Sequence, residues 1–228
     1  HLTHYVLDSI IHPYVIYECG EYNKNKPETY KYVGVHSQME VEIDAYLYES
    51  RENKPFKDLK FHKVNPKKRI NKNILRVLNK TYEETFNVKK GGIKYQKALN
   101  MSYFGLKYIT NDKHGRKKFL YQKIDKIIPN KGRKFATFSY YVTSIDKSIF
   151  NLEHHLWYNP CDNTIKSNES FFDLYDKAVA TCVTLFEATN KYINGKIDLK
   201  EYQSVLKDNS YVTGLSWRKK DELQYFAF

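Results

Sequence analysis

Residues 1–20 read HLTHYVLDSIIHPYVIYECG and residues 35–44 read VHSQMEVEID. The first stretch sets His4, Asp8 and His12 at four-residue intervals, and the second does the same with His36, Glu40 and Asp44. On an α-helix, positions four apart differ by about 40° around the axis and about 6 Å along it, so each trio projects from one stripe. Leu2, Tyr5, Val6, Ser9, Ile10 and Pro13 recur at the three-to-four period of a helix over residues 2–17. Pro13, which has no N–H, is expected to bend or shift this helix, and Cys19-Gly20 to end it. A polar loop covers 21–31, and Met39, Ile43 and Leu47 mark the apolar stripe of a second helix over 35–49.

The same periodicity continues downstream. It predicts helices over 73–87, 93–110, 116–128, 169–193 and 198–206, with Gly91-Gly92 as a breaker and Pro129 as a stop. Asp198 is placed to cap the last of these. Residues 135–145 are the best strand candidate, and 151–168 read as a loop-rich passage. Residues 54–72 are strongly basic and carry Pro55 and Pro66, which reads as an extended connector. The expectation is an all-α, multi-helix bundle, with residues 1–228 forming one domain.

Composition narrows the function classes. Hydrophobic residues make up 41% of the 228 and charged residues 28%, as in a folded globular chain. No run reaches the roughly 18–20 apolar residues of a membrane span. Cys19, Cys161 and Cys182 are few, odd in number and far apart, which argues against a disulfide framework and points to a cytoplasmic, reducing setting. Without a CxxC pair, zinc held by sulfur is not expected. The net charge of +12 favours partners or substrates that carry phosphate. The basic 54–72 segment reads first as a solvated surface loop and also suits transient contact with anionic lipid or phosphate, whereas Phe56 and Phe61 are too few to make a stacking platform for nucleic acid.

Two consecutive helices, each offering imidazole and carboxylate from one stripe, are how helical bundles build metal sites in their cores. This donor chemistry suits zinc, and also iron or manganese. Six candidates exceed the needs of one ion, so bridging carboxylates and more than one metal fit the pattern. Asp44 fits better as a partner orienting a histidine than as a ligand. His154-His155, ahead of Trp157, reads as an ordinary hydrogen-bonded loop, and His62 and His114, among lysines, as surface residues. The chain has no GxSxG nucleophile motif, no glycine-rich phosphate loop and no His-Asp dipeptide.

The run His4-Tyr5-Val6-Leu7-Asp8 with His12-Pro13-Tyr14, followed by His36-Ser37 and Glu40, resembles the zinc-dependent phospholipase C family. The chain also resembles an uncharacterised, phospholipase C-like branch of that family from Firmicutes. In that branch an SFxxLYxxA-type helix, here Ser170–Ala178, and a final SYVTGL, here Ser210–Leu215, also recur. The family is all-α, holds three zinc ions in a cleft, and shares its fold with single-strand-specific zinc nucleases. The resemblance implies that His4 and Asp8 ligate one zinc, with Asp8 bridging, and that His12, His36 and Glu40 complete the remaining shell. The spacing from Asp8 to His12 is shorter than in the characterised enzymes. Their other ligands and their general base lie upstream of the position His1 occupies, so the resemblance implies either a preceding segment or a reduced site.

The expected activity is therefore zinc-dependent hydrolysis of a phosphodiester, with phospholipid headgroup esters as substrates and one to three zinc ions as cofactor. A nuclease or phosphatase on the same fold and a non-catalytic metal-binding protein are the competing expectations.

Overall fold

Helix α1 spans Leu2–Cys19 and continues through Pro13, which removes one main-chain hydrogen bond without ending the helix. Its end is set by Gly20, whose φ of 65° lies in the left-handed region and whose amide bonds the Ile16 carbonyl at 2.9 Å. The ring of Tyr32 packs directly on Gly20, where a Cβ would meet it at 2.2 Å. Only glycine satisfies both demands at this turn.

The structure, a computed structural model, describes residues 1–64, 69–128, 132–219 and 222–228. Helix α2 spans Val35–Glu52, α3 Lys72–Phe86, α4 Gly91–Phe104, α5 Arg116–Ile127, α6 Phe171–Ile193 and α7 Leu199–Leu206. A π-helical segment, Gly105–Thr110, prolongs α4. Strands β1 (Trp157–Asn159) and β2 (Asp162–Ser167) pair antiparallel, Trp157 opposite Ser167, with a register shift between Tyr158 and Asn159. The protein is 61% helical, with seven helices and a single two-stranded sheet among the described residues, as the all-α reading requires.

The chain, read from its sequence as one domain, divides into two compact units. His1–Glu42 and Ser144–Phe228 supply most of the first, and Ile43–Asn130 with Lys134–Thr143 the second. In the first, α1 packs on α6 around buried Val6, Ala178 and Leu185, with Leu2, Tyr5, Ile10, Cys182 and the α7 residues Tyr202, Val205 and Leu206 around them. Burying side chains the size of Val6 or Leu185 contributes about 1.5–3 kcal/mol each. Helix α6 starts on a capping box: Ser170 Oγ accepts from the Asp173 amide at 3.2 Å, and Asp173 Oδ2 accepts from the Ser170 amide at 2.8 Å.

In the second unit, α3 packs on α4, and Phe56, Phe61 and Tyr140 form a chain of edge-to-face rings. Buried Asp112 accepts from the Lys118 amide and from Ser139 Oγ, both at 2.8 Å, and so ties the start of α5 to the segment that follows it.

Several local expectations are corrected. Residues 135–145 form no strand: Phe135–Phe138 is a 3-10 turn whose start is held by Asp125, which accepts from the Phe135 and Ala136 amides. The strands lie instead within 151–168, read as loop, because Asn159 and Asp162 flank a tight turn that the alternation pattern hid. The basic 54–72 stretch is not simply extended; buried Phe56 and Phe61 fold it into two 3-10 turns. Phe61 carries His62 inward as well, so that its ring meets Tyr103 edge-on and Nδ1 is buried rather than on the surface. The break assigned to Gly91-Gly92 falls earlier, at Asn87 and Lys90, both left-handed, and the glycines open α4. Pro66 and Pro129 lie outside the described residues.

Candidate metal centre

The site begins with the pitch of α2. His36 and Glu40 are one turn apart, and His36 Nε2 lies 3.0 Å from Glu40 Oε1. From α1, His12 Nε2 reaches the same oxygen at 3.4 Å, and the two imidazole rings meet edge-on with centroids 5.3 Å apart. One donor atom from each of His12, His36 and Glu40 lies within 4.8 Å of the other two, and this is the one such trio of His, Cys, Asp or Glu among the described residues. A tetrahedral zinc ion with bonds of about 2.0–2.1 Å spaces its ligand atoms about 3.3 Å apart, so these separations suit a shared ion. The trio is open to solvent on one side: side-chain exposure is 21% for His12, 29% for His36 and 49% for Glu40.

The second nitrogen of His12 fixes the first. Nδ1 lies 2.9 Å from the main-chain oxygen of Tyr211, an atom that only accepts, so Nδ1 carries the hydrogen. Nε2 is then the atom that meets Glu40. Protonated, it donates to Oε1; deprotonated, it offers a lone pair toward the same point. This is how metal-binding histidines are held in one tautomer.

The loop that carries Tyr211 is seated on α1 by two further contacts. Tyr5 Oη donates to the Leu206 carbonyl and accepts from the Asn209 amide, both at 3.0 Å. Gly214, with φ of 67°, presses against the Ser9 carbonyl, where a Cβ would come within 2.5 Å. Ser9 is four residues before Pro13, which has no N–H to bond that carbonyl, and this leaves room for the close approach.

Charge follows the geometry. Burial opposes ionisation of Glu40, but hydrogen bonds from His12 and His36 outweigh it and hold the carboxyl at about 2. The Glu40 hydrogen bond in turn raises His12 above the ordinary histidine range, against the opposing effect of its burial. Asp8 sits one turn before His12, with His4 Nε2 at 3.2 Å and His12 Nδ1 at 4.0 Å. Burial pushes its carboxyl up, more strongly than the neighbouring His12 and His4 pull it down.

Of the five residues expected as ligands, the structure thus gathers His12, His36 and Glu40. Asp8 lies beside them, flanked by His12 and by largely exposed His4. Asp44 is exposed and is not one of the trio. His154 turns to the Asn168 carbonyl at 3.0 Å and His155 to Glu153 at 3.1 Å, away from the centre. The roles of Tyr211 and Gly214 escaped the sequence reading. The SYVTGL run was visible as a unit, but a carbonyl acceptor leaves no trace in residue identity.

No family model matches the chain, and neither a curated protein nor a solved structure matches it.

Proposed function

We propose that this protein is a metal-dependent phosphodiester hydrolase, with His12, His36 and Glu40 holding a zinc ion. The observation that carries the reading is the convergence of two imidazole Nε2 atoms and one carboxylate oxygen from two helices, on a face open to solvent. Two histidines and one glutamate are a donor set of catalytic zinc sites, which keep a position free of protein ligands, whereas structural sites are closed by four. An ion held there would supply Lewis acidity, lowering the pKa of water and neutralising charge on a phosphoryl oxygen. The chain's own part is to fix the donors: Tyr211 sets the His12 tautomer, and the helical pitch sets His36 against Glu40. Asp8, with its raised pKa beside the trio, is placed to hold or pass a proton. The similarity of the His4–Tyr14 and His36–Glu40 runs to the zinc-dependent phospholipases C favours a phospholipid headgroup ester as substrate.

The test is elemental analysis of the purified protein, followed by hydrolysis assays on phosphatidylcholine vesicles, a chromogenic phosphodiester and single-stranded DNA. The expected result is about one zinc per chain and release of a phosphorylated headgroup that His36→Ala abolishes. Release of nucleotides alone would redirect the reading to a nuclease. A zinc-loaded protein without turnover on any of the three would leave a binding protein and overturn the enzyme.

A further inference from the structure

Formal charge is divided unevenly along this chain. Ile43–Asn130 with Lys134–Thr143 contain 23 Lys and Arg against 8 Asp and Glu, a net +15, while the other residues contain 15 against 18, a net −3, which together give the chain's +12. The whole basic excess therefore belongs to the second unit, and the unit that holds the metal-ligand trio is slightly acidic. Compositional bias toward lysine would raise both parts alike, so bias does not account for the division.

The same unit leaves large apolar side chains in water. Along α4 and its π-helical extension, Ile93, Met101, Phe104 and Tyr108 are 45–75% exposed. Their spacing, eight, three and four residues, keeps them on one side of the helix, with exposed Lys97 between the first two. Along α5, Phe119, Leu120 and Ile127 are 53–79% exposed. The lysines are interleaved with these groups: Lys107 Nζ lies 4.9 Å from the Tyr108 ring centre and Lys123 Nζ lies 4.4 Å from that of Phe119. Scattered apolar residues on a surface need no explanation, but a helical stripe of them with basic residues alongside does.

We propose that the basic unit docks on the surface of a bilayer containing anionic phospholipid. The Ile93, Met101, Phe104 and Tyr108 stripe lies at the boundary between headgroups and acyl chains, and Lys94, Lys97 and Lys107 meet the phosphates. Charge complementarity selects the partner: a +15 unit is drawn to a surface of negative headgroups, each lysine near it adding to the attraction. The apolar composition then favours lipid over nucleic acid. Ile93, Met101, Leu120 and Ile127 have no ring to stack on a base, but they bury well in the acyl boundary while lysine stems reach outward to the headgroups. Docking rests on the charge and exposure of this unit and is independent of the metal centre.

The experiment is sedimentation of the full chain with vesicles of phosphatidylcholine alone and with added phosphatidylglycerol, in the presence of a chelator so that no turnover enters the readout. Association with the anionic vesicles is expected, falling as salt rises, with little on the neutral ones. Lys94→Ala with Lys97→Ala should weaken it about thirtyfold. Met101→Ser with Phe104→Ser should remove the part that survives high salt. Unchanged circular dichroism spectra establish that the variants fold, and surface positions of this kind tolerate polar side chains. Absence of association with anionic vesicles, or association that neither double variant alters, overturns the proposal. So does salt-sensitive binding of a single-stranded oligonucleotide without binding to vesicles. Because the metal is removed, a failure here leaves the hydrolase reading standing, and loss of hydrolysis with docking intact leaves this one standing.

Discussion

Nδ1 of His12 and the main-chain oxygen of Tyr211, 199 residues apart in the chain, lie 2.9 Å from each other. The contact joins the loop near the C-terminus to α1 and turns the other face of the same imidazole toward His36 and Glu40. The tautomer of His12 is thus set by a main-chain atom of Tyr211, while the Tyr211 ring packs on Tyr5 and His4.

The proposed ligand trio predicts a division among the histidines. His12→Ala, His36→Ala and Glu40→Gln should each weaken zinc binding by more than about a hundredfold, beyond the tenfold to hundredfold typical of groups that only orient a ligand. His4→Ala should change it little, since His4 is exposed and reaches Asp8 but not the trio. Competition with a chromophoric chelator measures all four. A loss at His4 equal to that at His36 would shift the centre toward Asp8.

Gly214 tests the loop. A methyl group there would come within 2.5 Å of the Ser9 carbonyl and 3.1 Å of Pro13, on a residue whose φ of 67° already disfavours a side chain. Gly214→Ala is expected to cost about 1–3 kcal/mol of stability. Displacing Tyr211 should also lower zinc affinity, by an amount in the range for a lost orienting group. Tyr211→Phe, which keeps both the carbonyl and the ring that packs on Tyr5 and His4, should leave that affinity nearly unchanged. Calorimetric unfolding and zinc titration of the two variants separate these effects.

Helical elements were the readable part of this sequence, because each is written in residue identity. Periodic apolar positions gave α1 to α7 to within a few residues, and Ser170 and Asp198 carry side chains whose chemistry starts a helix. The His36–Glu40 pair was equally legible, since four residues make one turn. Which of His4, Asp8 and His12 joins that pair was not. All three share a stripe of α1, and only packing determines that His12 faces Glu40 while His4 lies further along the helix toward solvent. The misplaced strand has a related cause. Residues 135–145 have strand-like composition, but Asp125 accepts from the Phe135 and Ala136 amides and Asp112 from the Ser139 hydroxyl, and no strand among the described residues pairs with them.

The capping box at α6 offers a stability test that involves none of the residues of the candidate metal centre. Ser170→Ala removes the acceptor for the Asp173 amide and should destabilise the protein by about 1 kcal/mol, with Ser170→Thr close to the parent. Because α6 packs on α1, the loss should appear in unfolding of the whole first unit rather than as fraying of one helix end. Denaturant titration followed by far-ultraviolet circular dichroism reads it, and an unchanged midpoint for Ser170→Ala would contradict the assigned role.

Asp112 predicts the sign of a pH effect in the second unit. Burial opposes its ionisation, but hydrogen bonds from the Lys118 amide and Ser139 hydroxyl prevail and hold the carboxyl below its ordinary value. A carboxyl depressed on folding stabilises the folded state at pH values above the unfolded pKa, about 3.9, and loses that contribution as pH falls through the lower, folded value. The second unit should therefore lose stability progressively below about pH 4. Asp112→Asn keeps the shape but weakens both acceptor bonds, and should cost about 1–3 kcal/mol at neutral pH. Its penalty should shrink as the pH is lowered, because the parent's carboxyl is then protonated as well. Thermal unfolding of both proteins between pH 2 and pH 7 measures this convergence, and a constant gap across that interval would remove Asp112 from the acid response.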